Sequence, residues 1–205
     1  MILRSGLLVV VLLGWSAAAA WAHPGHQPPS GNRLLDGLIH PWTGIDHLLT
    51  LLAVGLLAQG IQGQGVRRRM SWLLPLAFLS SMLAGAVLGN VGWGPPGAEA
   101  ALPLSLVVMG AALAVGRTYP NVAVAVVVVL CGIIHGHAHG TDMSASGTSG
   151  SLAALQYLGG LLTGSALLLA SGAGLGFAAG GWPQVARLCG GAVFVAGLGL
   201  LLALD

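Results

Sequence analysis

Six apolar runs, at residues 37–59, 71–91, 98–115, 122–139, 152–171 and 185–204, leave this 205-residue chain few ways to fold. Each is close to the ~20 residues that an α-helix needs to cross the hydrocarbon core of a bilayer. Inside that core every backbone N–H and C=O must be satisfied within the protein, which admits only helices and closed barrels. Runs of this length without strict alternation are helical. Only 6% of residues are charged, against about a quarter in soluble domains. The expected fold is an all-α integral membrane protein, a six-helix transmembrane bundle whose principal partner is the lipid bilayer. A formal charge of +2 is too small and too local for a nucleic-acid partner, since three of the seven basic residues form the single run Arg67-Arg68-Arg69.

Residues 1–22 have the build of a signal peptide. Arg4 supplies the n-region, residues 6–15 are apolar, and Ala20-Trp21-Ala22 fits a small-residue cleavage site. Cleavage there leaves a tail, 23–36, that begins His23-Pro24-Gly25-His26, ahead of a transmembrane domain at 37–205. The tail then faces the outside and the first span runs inward, which puts Arg67, Arg68 and Arg69 in the cytoplasm. Arg117 and Arg187 fall on the same side, in keeping with the positive-inside rule. The expected location is a bacterial inner membrane, crossed several times, with the mature N-terminus periplasmic. Cys131 and Cys189 lie in apolar runs without paired spacing and read as buried thiols.

Chemistry concentrates in two stretches. His40-Pro41-Trp42-Thr43-Gly44-Ile45-Asp46-His47 opens the first apolar run. Ionisable groups at membrane depth are costly, of order 3 kcal/mol for an Asp at a helix centre, and mark function. On an ideal helix His40 and His47, two turns apart, share a face, whereas Asp46 joins them only if Pro41 and Gly44 distort the helix. The alternative is hydrogen bonding to neighbouring helices. The second stretch is His135-Gly136-His137-Ala138-His139-Gly140-Thr141-Asp142. His135 and His139 are i, i+4 partners, and Asp142 continues their stripe if the helix persists that far. His137 points elsewhere as an accessory group. The alternative is a His-rich loop with adventitious metal affinity. His23 and His26, with the freed α-amine, form a capture site or simply an exposed tail. With the orientation above, all seven histidines face one compartment.

Gly85 with Gly89, and Gly160 with Gly164, have the small-xxx-small spacing of closely packed membrane helices. Glu99 reads equally as a further acidic group that could approach the histidine cluster or as a solvated helix end, and Ser105, Thr163 and Ser165 as polar groups that line a path or bond across helices. No Walker-type phosphate loop is present, which argues against ATP hydrolysis by this chain.

The stretch His40-Pro41-x-x-Gly44-x-Asp46-His47-Leu48 resembles the HupE/UreJ family of hydrogenase and urease accessory membrane proteins. His135-Gly136-x-Ala138-His139-Gly140 resembles that family's second motif, and His23-Pro24-Gly25-His26 its mature N-termini. The family is regarded as a set of secondary nickel, sometimes cobalt, permeases, and His-Asp-His is similar to the signature of the nickel/cobalt transporters. The resemblance implies a permease importing a divalent transition metal, with Ni2+ or Co2+ as cargo and Zn2+ or Cu2+ as other ions the ligands accept. It carries His40, Asp46, His47, His135 and His139 over as metal-handling residues. The family pattern has Glu where this chain has Asp142. It also implies a functional link to hydrogenase or urease maturation, with a homo-oligomer left open. Two other readings fit the same residues: an intramembrane zinc-dependent hydrolase with Asp46 or Asp142 as base, and a metal sensor or scaffold for hydrogenase or urease maturation.

Overall fold

The structure is a computed structural model that describes residues 31–60, 67–94, 97–116, 119–145, 152–178 and 183–204. The signal peptide, His23, His26 and Arg117 lie outside the described residues. The described chain is helical: α1 (Arg33–Thr43), α2 (Ile45–Gly60), α3 (Arg67–Asn90), α4 (Ala98–Val115), α5 (Asn121–Ala145), α6 (Leu152–Ala178) and α7 (Pro183–Leu202). Five of these are long and apolar enough to cross a membrane. A sixth span is reached when α1 and α2, which meet at a 77° bend, count as one.

The first apolar run is therefore not one continuous helix. Asn32 caps α1, its side chain accepting the Leu35 amide, so that helix starts earlier than hydropathy alone indicates. Pro41 has no N–H to continue the ladder, and α1 ends at Gly44, whose backbone is extended at φ −84°, ψ 115°. The fourth run is longer than its apolar stretch, since α5 continues through the histidines to Ala145.

Glycines set the helix pairing. A Cβ on Gly136 would strike the Met82 carbonyl, one on Gly85 the Ile133 carbonyl, and one on Gly89 the His137 carbonyl. These contacts advance in the same order along both helices, so α3 and α5 are parallel and in backbone contact. Gly160 and Gly164 likewise admit Leu34 and Leu38 of α1, and Gly172 admits Leu52 of α2. Both halves of the broken pair thus advance along α6 in one direction. Gly110 abuts Gly190 and Phe194, while Gly197 abuts Leu106 and Pro103, which makes α4 and α7 antiparallel. The spacing seen at Gly85, Gly89, Gly160 and Gly164 does serve close packing, as small residues do in lipid.

Helix α2 is the post around which the others stand. Leu51, Ala53, Val54, Leu57 and Ala58 are all at most 2% exposed, and α2 touches α3, α4, α6 and α7. A helix apolar on every side belongs inside a bundle. The remaining helices carry the exposed large apolar residues, such as Leu76, Val126, Leu167 and Val195, on outward faces suited to lipid. Short connections give the bundle a near end, where α1, α4 and α6 begin, and a far end, where α3, α5 and α7 begin. Arg187, early in α7, donates to the Val115 carbonyl at 2.9 Å and so ties the far ends of α4 and α7.

Backbone-to-backbone contact at Gly136 leaves no side chain to move aside, whereas Gly191 faces open space. Gly136→Ala should lower apparent stability by about 1–3 kcal/mol, while Gly191→Ala should be neutral or slightly stabilising. Thermal unfolding of the detergent-solubilised chain checks both; equal midpoints would remove the packing role given to Gly136.

Candidate metal centre

The break between α1 and α2 brings together what an unbroken helix would hold apart. His40 lies four residues before Gly44 and His47 three after it, on separate helices, yet their rings stand 5.6 Å apart and edge to face. From α5, His139 completes a triangle with them, its ring centroid 4.8 Å from that of His40 and 4.5 Å from that of His47. One nitrogen from each of His40, His47 and His139 lies within 4.8 Å of the others. Imidazole nitrogens about 2.0–2.1 Å from one tetrahedral ion stand roughly 3.3 Å apart, so rotamer adjustments of about an ångström would close the set. His135, one turn earlier on α5, sits 5.1 Å from His47.

Two of these rings have a defined tautomer. Asp46 Oδ1 lies 2.8 Å from His47 Nδ1, and a carboxylate can only accept, so Nδ1 donates and Nε2 carries the lone pair. The Cys131 carbonyl takes the proton of His135 Nδ1 at 2.9 Å, again freeing Nε2. A histidine anchored through one nitrogen by a carboxylate or carbonyl is the arrangement that orients metal ligands. His47 Nε2, His135 Nε2 and both ring nitrogens of His139 are buried without a hydrogen-bond partner among the described residues. Each such atom costs about 1–3 kcal/mol, and a cation held by His47 and His139 would offset part of that cost by taking the one lone pair each neutral ring offers. Nitrogen donors suit nickel, cobalt, copper or zinc; magnesium and calcium require oxygen.

Gly44 has a role that its backbone angles do not explain, because φ −84° is open to any residue. A Cβ there would stand 2.9 Å from His47 Nδ1 and 3.0 Å from Asp46 Oδ1. The missing side chain makes room for the hydrogen bond that aims His47. Phe78 and Tyr157 wall the cluster, 6.1 Å from His135 and 6.0 Å from His40.

The other sequence candidates lie elsewhere. His137 turns toward Gly94, past the end of α3, where its ring occupies the space a Cβ would need. Asp142 is helical but exposed, and Glu99 is exposed in the first turn of α4. Thr163 bonds its own helix at the Gly159 carbonyl, whereas Ser105 and Ser165 are buried near mid-span. Cys131 and Cys189 are free thiols. His40 and His47 do meet, but through a break rather than along one helix face.

A family model described as HupE / UreJ protein matches residues 10–200. The protein HupE of Rhizobium leguminosarum bv. viciae is 36% identical over 171 residues, which cover 82% of this chain and 84% of the relative. No solved structure matches.

Gly44→Ala should weaken Ni2+ binding by about 10–100-fold, as loss of an orienting contact does, while leaving helical content unchanged. Equilibrium dialysis with circular dichroism measures both, and unaltered affinity would show that the Asp46–His47 bond does not need that space.

Proposed function

The chain belongs to the HupE/UreJ protein family, and on that premise we propose that it is a secondary permease that imports a divalent transition-metal ion, nickel or cobalt. The observation that carries this reading is the convergence of His40, His47 and His139 at a broken span, where His47 Nε2 and both ring nitrogens of His139 are buried without a hydrogen-bond partner among the described residues. Broken helices at mid-membrane are where transporters build sites for ions. His40 and His139 receive the ion from the near end, and Asp46 holds the His47 ring to it. Of the sequence candidates, His135 extends the site inward, while His137, Asp142, His23 and His26 are assigned to capture at the near end.

The orientation follows the charge. Arg67, Arg68 and Arg69 begin α3, and Arg187 lies early in α7, so the far end is basic and cytoplasmic; Asp36, Glu99 and Asp142 lie toward the near end, which is periplasmic. The parallel run of α1 and α2 along α6 supports counting them as one crossing, six in all, after a cleaved leader. A potential of 100 mV, inside negative, gives a divalent cation about 4.6 kcal/mol on entry, so uptake needs no nucleotide. Histidine binds metal only when neutral, which leaves proton exchange available as coupling.

The hydrolase reading is weaker. Asp46 bonds the ring nitrogen on the side of His47 away from its ligand atom, which does not favour a role as base beside a metal-bound water. Membership of an accessory and transport family also argues against an enzyme. A sensor or scaffold for hydrogenase or urease maturation would bind metal without moving it.

Proteoliposomes holding the chain should accumulate radioactive nickel or cobalt when an inside-negative potential is imposed. His47→Ala and His139→Ala should each reduce the rate by about tenfold or more. Metal binding without accumulation at any potential would overturn the permease reading in favour of the sensor.

A further inference from the structure

Hydroxyls buried in membrane helices usually bond a carbonyl three or four residues back. Ser81 and Ser105 do so, at 2.9 Å to Phe78 and 2.6 Å to Leu102, and Ser165 donates to Met82 Sδ at 4.0 Å. Thr50 is the exception among the buried hydroxyls described: it is 0% exposed and its Oγ1 has no partner. Thr50 follows His47 by three residues, on nearly the same face of α2 and about 4.5 Å farther along it. His135 precedes His139 by four residues and so stands about 6 Å nearer the far end of α5. Its Nε2, freed by the bond to Cys131, is also unpartnered. Both spare donors are thus displaced the same way, about one turn inward from the triad.

We propose that the bundle contains a second, inner position for a divalent transition-metal ion, made by His47 Nε2, His135 Nε2 and Thr50 Oγ1 and overlapping the outer triad at His47. His47 is placed to serve both, its ring 4.5 Å from His139 and 5.1 Å from His135. An ion advances by exchanging His40 and His139 for His135 and Thr50 without leaving His47, so full dehydration is never faced in one step. A neutral hydroxyl in place of an imidazole makes the inner position the weaker one, as a release site must be. Beyond it toward the far end, Val54, Leu57, Met109 and Val128 are buried and apolar. The inner position is therefore held against a closed inner seal.

The direction of travel rests on the permease reading, whereas the inner position is tested first by binding. In the full chain in detergent, His40→Ala/His139→Ala should still bind one Co2+ per chain, about tenfold or more weakly than the unaltered protein. Adding Thr50→Val should weaken that residual binding by at least about fivefold, Thr50→Ser should restore it, and His135→Gln should abolish it. Absence of residual binding, or residual binding indifferent to Thr50→Val and His135→Gln, overturns the inner position. If the double variant does not fold, as judged by helical content, Thr50→Val alone decides: Co2+ affinity at the intact triad should stay within about twofold, while uptake falls at least about fivefold. Unchanged uptake, or affinity lost in parallel with it, overturns the proposal even though unaltered protein transports. Failure of the unaltered protein to transport would sink the permease reading while leaving the binding experiment to judge the site.

Discussion

Burial of imidazole nitrogens at the break between α1 and α2 is the constraint on which the rest of the structure depends. Such nitrogens are costly in a low-dielectric interior, and the chain spends much of its sequence holding them there. The bend at Gly44 lets two helices of one span approach the same point. Asp46 and the Cys131 carbonyl fix two rings through their Nδ1 atoms. Glycines at 85, 89, 132, 136 and 140 lock α3 to α5, which fixes the height at which His135 and His139 enter the bundle. Rings placed this way have little freedom to relax away from one another, which is the preorganisation that a metal site requires.

Membrane character, helix class and the two histidine stretches were legible because apolar length and ionisable residues at membrane depth are strong local signals. The glycine interfaces were legible for the same reason, since their spacing is local. The break was only half legible. Pro41 and Gly44 indicated distortion, yet whether a helix bends or ends depends on what packs beside it, here α6 against both halves. The meeting of His40 with His47 was expected along one helix face and instead crosses between two helices. Asp142 shows the limit of periodicity: α5 does persist to it, but the cluster lies deeper, so the stripe runs on into exposed helix. Thr50 could not be read from sequence at all, because its distinguishing feature is a bond it does not make.

The bundle also separates its tasks by helix. The central α2, buried on all sides, carries His47 and Thr50, while α3, α4, α6 and α7 shield it from lipid. An extended glycine joins this central helix to α1, while Gly55, Gly172 and Gly176 hold it close against α6. Rearrangement at that joint would move His47 relative to His139 and His135, which are fixed to α3 through their own helix.

X-ray absorption spectroscopy of the nickel-loaded full chain tests the metal assignment most directly. The spectrum should show imidazole nitrogens at about 2.1 Å around nickel, three of them at the triad, and this signature should be lost when His47 and His139 are both replaced by alanine. Nickel surrounded only by oxygen, or a spectrum unchanged by those replacements, would contradict a metal site at the broken span.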